Sequence, residues 1–156
     1  MTYPNQQVKP ISTKINDKGN LSISNIDLLD LAKKYKTPLY VIDKPTLEKM
    51  AKDYIEAFSI YNKTNILFAS KALMTGAVAK VLASLGLGFD VVSKGEMFVL
   101  LNAGVGLEKS SFNGNNKSQE EIEFAIDNRI DHFSVDNFFE LKELNSIANK
   151  KNKVQK

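Results

Sequence analysis

From Thr37 onward the sequence repeats a single pattern: a short apolar run, then an amphipathic stretch opened by a capping residue. The apolar runs fall at 38–42, 65–70, 88–92 and 132–135, with a weaker strand signal at Ser110-Ser-Phe112. Each is too short and too β-branched or aromatic to be a helix, so each reads as a strand. The intervening stretches read as helices. One is capped by Asp43, carries Pro45 in its first turn and runs to about Phe58; the others cover roughly 75–85, 94–103, 119–128 and 137–149. Five strand–helix units joined by short loops require a parallel sheet covered by helices. The fold class is therefore α/β, either a doubly wound sheet or part of a parallel (β/α) barrel.

Before this alternation, residues 10–24 predict a small β-hairpin. Asp17, Lys18, Gly19 and Asn20 form its turn, and Leu21 and Ile23 alternate with serines. A short helix then runs through Lys34, capped by Asn25 or Asp27. The expected organisation is an N-terminal segment over 1–36 and a barrel-forming part over 37–156, with a polar loop from Lys150 onward. A complete barrel takes about 200–250 residues, so five units predict an incomplete one.

Composition removes several chemistries. There is no cysteine, hence no thiolate metal site, disulfide or cysteine nucleophile, and the single His132 argues against a histidine-rich metal centre. The formal charge of +3 rests on lysine, with Arg129 the sole arginine, so forked contacts to phosphates and base edges are not expected and nucleic acid is a poor partner. No apolar run approaches a membrane span, and the N-terminus does not read as a signal peptide. A cytoplasmic chain is the expectation.

Lys71 is the most informative residue. It follows the apolar run 66–69, at the strand end where α/β folds place their sites. Strand alternation would put Leu67, Ala69 and Lys71 on one face, with Ala69 leaving room beside the amine. A lysine there is either solvated or a neutral amine able to form a Schiff base with a carbonyl compound. Asp90 lies within the apolar run of Phe89, Val91 and Val92, where a carboxylate needs a partner; a lysine on the next strand would serve, and a turn or cap role is the alternative. Ser93 and Glu96 form a capping-box spacing ahead of an apolar helix, as do Ser118 and Glu121. Glu96 can cap and still face the rim that carries Lys71. The Asn113–Lys117 stretch reads as a loop, Asp136 as a cap for the last helix and His132 as a strand-end residue.

Taken in order, Thr37-Pro-Leu-Tyr-Val-Ile-Asp43, Phe68-Ala-Ser-Lys71-Ala72, Gly88-Phe-Asp-Val-Val-Ser93 with Gly95-Glu96, Gly114-Asn-Asn-Lys-Ser118, and Val135-Asp136 with Glu140-Leu141 resemble the N-terminal part of the diaminopimelate decarboxylase family. The resemblance implies an alanine-racemase-like (TIM-type) barrel binding pyridoxal 5'-phosphate. It also implies a carboxy-lyase that converts meso-diaminopimelate to L-lysine and CO2, acting as a homodimer when full length. Residues 1–36 would belong to the family's β-domain. Lys71 matches the family's Schiff-base lysine, and Asp90 and Glu96 match the acidic residues beside it. Ser70 and Leu73 depart from the pattern, which has valine and asparagine there. The family's phosphate loop, ring-stacking histidine and pyridine-nitrogen partner would lie beyond Lys156, so the fragment alone is expected to be inactive. A relative acting on ornithine, arginine or carboxynorspermidine, or a non-catalytic βα fragment, is the alternative.

Overall fold

The computed structural model describes residues 8–156. By its internal contacts the chain divides within one helix into two compact units, Met1–Asp53 and Tyr54–Lys156.

In the first unit, β1 (Lys14–Ile15), β2 (Leu21–Ile23) and β3 (Ile26–Asp27) form an antiparallel sheet in chain order. The predicted hairpin is its first half. Its turn is closed by Asn16, whose side chain accepts from the N–H groups of Lys18 and Asn20 (3.0 and 2.9 Å). Gly19 takes the left-handed φ of 78° that such a turn requires. Asp27 caps α1 (Leu28–Tyr35) by accepting from Leu29 N at 2.8 Å, which decides between it and Asn25.

The strand expected at 38–42 is absent. Residues 39–43 carry no regular structure, and Leu39, Tyr40, Val41 and Ile42 are all exposed, Tyr40 by 96%. Four apolar residues favour an extended chain but cannot satisfy their own backbone groups; a strand exists only where a neighbour supplies the ladder. Asp43 then opens α2 (Lys44–Phe58). It is 6% exposed and gathers hydroxyl donors from Ser12 (2.7 Å), Ser24 (2.7 Å) and Thr46.

The second unit holds the four remaining strand–helix units. Parallel β4 (Leu67–Ala69), β5 (Gly88–Val91), β6 (Ser111–Phe112) and β7 (His132–Phe133) lie side by side in chain order. They alternate with α3 (Gly76–Ser84), α4 (Lys94–Asn102), α5 (Gln119–Asp127) and α6 (Phe138–Lys150). A doubly wound sheet must reverse direction at some strand; this order never does. Right-handed crossovers then place every helix on the same face, as in a barrel wall. The core sits between that face and the helices: Phe89, Val91, Phe112 and Phe133 from the strands meet Leu82, Met97, Leu100, Ile122, Ile126 and Ile147, all buried.

The end of the chain is irregular, as expected of a loop, but it is docked. Gln155 donates to the carbonyls of Ile130 and Asp131 (3.0 and 2.9 Å), and Lys156 O accepts from Phe133 N at 2.9 Å.

Candidate active site

Parallel pairing aligns side chains across the sheet, and alternation sends neighbours in sequence to opposite faces. Ala69 pairs with Asp90, Asp90 with Ser111, and Ser111 with His132, so these four form a row on one face. The opposite face carries Phe68, Phe89, Val91, Phe112 and Phe133. Its rings meet in pairs, Phe68–Phe89 at 6.4 Å and Phe112–Phe133 at 5.7 Å. The helices cover the aromatic face; the small and polar row is the face a barrel would turn inward.

Lys71 lies two residues beyond Ala69, at the C-terminal end of β4. The strand was expected to reach Ser70, but a 3-10 turn over Ser70–Ala72 replaces its last residue. Ser70 is buried in that turn and its hydroxyl lacks a partner, whereas Lys71 is exposed. The Lys71 amine makes no hydrogen bond or ion pair among the described residues, so nothing competes for it. Asp90 is half-buried in the row on β5, and its carboxylate accepts from Asn113 Nδ2 at 3.5 Å. Asn113 was not anticipated. The signal was available: it stands two residues after Ser111, so the alternation that faces Ser111 toward Asp90 carries Asn113 to the same side, at the rim.

Glu96 sits at the same end of the sheet but is engaged locally. Ser93 caps α4 by accepting from Glu96 N (3.3 Å), while Glu96 Oε2 accepts from Val92 N (2.7 Å) instead of the Ser93 N–H that a capping box uses. Ser93 is fully extended, with φ −155°, and the reciprocal bond is not made. At Ser118, with φ −75°, the complete capping box forms. Its Glu121 also accepts from Lys94 N (3.1 Å), tying the start of α5 to the start of α4. Burial pushes the Glu121 carboxyl up, but the N–H groups of Ser118 and Lys94 outweigh it and hold it below the usual carboxylate range. The Lys94 amine pairs with Glu120 and lies 5.2 Å from the Phe124 ring centre, committed to α5. Asp136 does not cap α6. Asn137 does, accepting from Glu140 N at 2.9 Å, since an N-cap bonds two or three residues ahead and Asn137 has that register. His132 opens β7, as expected, with Nδ1 3.2 Å from Asp131.

The loop after β6 holds a feature the sequence did not announce. The Lys117 side chain is 1% exposed, and its amine meets Glu140 Oε1 (2.7 Å), Gly114 O (2.6 Å) and Ser134 O (2.7 Å). The partners are 23 residues apart, so no local spacing could have paired them.

An unpaired amine at a strand end, a small residue below it and a carboxylate on the next strand suit an aldehyde that must be captured as an imine. Residues 45–155 match the pyridoxal-binding domain of the pyridoxal-dependent decarboxylases. The chain belongs to that family. It is 42% identical over 142 residues to the diaminopimelate decarboxylase of Bacillus methanolicus, covering 90% of this chain and 33% of that protein. To the enzyme of Bacillus subtilis it is 40% identical over 138 residues, covering 88% and 31%. The crystal structure of diaminopimelate decarboxylase from M. jannaschii superposes with a TM-score of 0.85 at 35% identity, over 94% of this chain and 35% of that one. The chain thus spans about a third of the length of the relatives it matches. The incomplete barrel read from the sequence agrees with the parallel four-stranded sheet and with these decarboxylase neighbours. No described helix is long and apolar enough to cross a membrane.

Proposed function

We propose that the chain is the lysine-bearing portion of a cytoplasmic diaminopimelate decarboxylase, in which Lys71 links pyridoxal 5'-phosphate. The observation that carries the reading is the free Lys71 amine at the C-terminal end of β4, with Asp90 on the adjacent strand. The residues fit the cofactor because its aldehyde needs a primary amine with no competing partner. When bound, the cofactor's ring accepts the electron pair left as a carboxylate departs as CO2.

The protein's part is orientation and charge. Asp90 places a carboxylate on the strand next to the one that ends at Lys71. Asn113 fixes the direction of that carboxylate. Glu96 holds the exit of β5 in place through Val92 N, and so acts on the site by shaping the turn. Lys71 Nζ would hold the cofactor's aldehyde and, when not so linked, would be a primary amine at the strand end where protons are moved.

Residues 1–36 are assigned to the β-domain and residues 37–156 to the barrel, and the functional protein is a homodimer of the longer polypeptide. The choice of meso-diaminopimelate follows the identity to diaminopimelate decarboxylases and the Asn115-Asn116-Lys117 loop. The reading is tested by incubating the chain with pyridoxal phosphate, reducing with borohydride and mapping the labelled peptide. Label on Lys71 is expected; label confined to other lysines overturns it. CO2 release from diaminopimelate is expected only when the remaining barrel strands are joined to this chain.

A further inference from the structure

An ammonium has three N–H donors, and the three bonds made by Lys117 use them all. Nothing remains to meet a substrate or cofactor, so a direct role is excluded. What the amine does is hold three pieces of chain together: the loop after β6 at Gly114, the exit of β7 at Ser134 and the first turn of α6 at Glu140. It lies 5.5 Å from the Phe112 ring centre, on the helix-covered side of the sheet.

The grip on Gly114 reaches the candidate site. Gly114 adopts a left-handed φ of 104°, which turns its peptide sharply. That residue is held at both ends: its carbonyl by Lys117, and its N–H by Asn113 Oδ1 at 2.8 Å. Asn113 in turn donates its backbone N–H to Val91 O (2.8 Å) and its side-chain amide to Asp90. With Oδ1 fixed on Gly114 N–H, the amide Nδ2 has one direction left, and that direction is Asp90. We propose that Lys117 is a positioning residue: its buried amine anchors the Gly114 carbonyl and so fixes the turn at Gly114, whose N–H aims Asn113 at Asp90, on the strand next to the one that ends at Lys71. The proposal rests on the reading of Lys71 as the cofactor-linking amine, and adds a residue on the far side of the sheet that governs it.

The test uses the isotopically labelled 156-residue chain. Removing the amine alone would strand Glu140, so the informative variant is Lys117→Met with Glu140→Leu, which removes both charges. Two quantities are read. One is the side-chain amide resonance of Asn113, recognised by its loss in Asn113→Ala and its displacement in Asp90→Ala. The other is the rate of borohydride-trapped pyridoxal adduct at Lys71 relative to exposed Lys18. In the double variant the resonance is expected at the free-amide position, and the relative rate at Lys71 falls about fivefold, a misplacement effect. Asn113→Ala produces the same fall, and adding it to the double variant produces no further one. A double variant with wild-type melting temperature and an unchanged Asn113 resonance overturns the proposal. So does an Asn113→Ala protein with an unchanged Lys71 rate, a result available even if the double variant does not fold. If the wild-type chain traps no adduct on Lys71, the functional reading fails, and the Asn113 resonance still decides the role of Lys117.

Discussion

Gly88, the first residue of β5, is where the sheet leaves least room. A Cβ built there would stand 1.8 Å from the Lys109 carbonyl oxygen, 2.8 Å from its carbon and 2.6 Å from Leu67 Cδ2. Leu67 can rotate away, but the Lys109 carbonyl is backbone. Reaching even the 3.0 Å floor of real contacts would push it back by about 1.2 Å. Residue 109 leads directly into Ser110 and the two-residue strand β6, which is held to β5 by the pairs Asp90–Ser111 and Val91–Phe112 and by Asn113 N donating to Val91 O. Losing two or three such bonds at about 1 kcal/mol each, with displacement of the buried Phe112 ring, gives about 3–5 kcal/mol for Gly88→Ala. Urea unfolding followed by far-UV circular dichroism measures it, with the slope checked for a change in the unfolded state. Gly76→Ala is the control: its Cβ would meet Ala103 Cβ at an ordinary 3.6 Å at the start of α3, and the change is expected to cost nothing. If Gly88→Ala unfolds within about 1 kcal/mol of wild type, the strand approach is not as described and the placement of Asp90 falls with it.

Lys71→Arg keeps a cation but offers no amine for an imine, so the borohydride-trapped pyridoxal adduct should vanish from that peptide while thermal stability is unchanged. Burial pushes the Asp43 carboxyl up, but hydrogen bonds from Thr46, Ser24 and Ser12 outweigh it and hold it at about 2, against an ordinary 3.8. A lowered value contributes stability that is complete above the ordinary value and is lost as pH falls through the folded one. Acid unfolding of wild type and Asp43→Asn should therefore converge between about pH 4 and 2, over a difference of about 1 kcal/mol after solvent screening. Glu121→Ala removes both its capping-box bond and its bond to Lys94 N; chemical denaturation should show a loss of about 1–2 kcal/mol.

The helices and the last four strands were legible because their signals are local. Caps at Asp43, Ser93 and Ser118, each followed by an apolar period, need no knowledge of the rest of the chain, whereas the cap of the last helix was read one residue early, at Asp136 in place of Asn137. The run 38–42 carried as strong a strand signal as 88–92 and formed no strand, because a ladder partner is not written in the run itself. In the site, Lys71 and Asp90 stood out as charges inside apolar patterns. Asn113 did not, since asparagine after a strand is also what a turn requires. Lys117 and Glu140 were hidden further: the first sits in a stretch that reads as loop and the second in the first turn of a helix, and their burial depends on a contact between β6, β7 and α6 that only the folded sheet creates.

The sheet separates two tasks by face. The aromatic side, closed by helices, stabilises the fold; the row Ala69, Asp90, Ser111 and His132 is left to small and polar groups, and Lys71 and Asn113 join it at the rim. A buried ion pair on the aromatic side contradicts that division if its purpose is stability, since apolar side chains of similar volume are often as stabilising or more so. Apolar side chains could not, however, accept the role of binding two carbonyls from different loops. The amine of Lys117 does so at Gly114 and Ser134, and Gly114 is bonded through its own N–H to Asn113, which faces Asp90. The charge is placed where stability alone does not require it because the carboxylate it orients stands across the sheet.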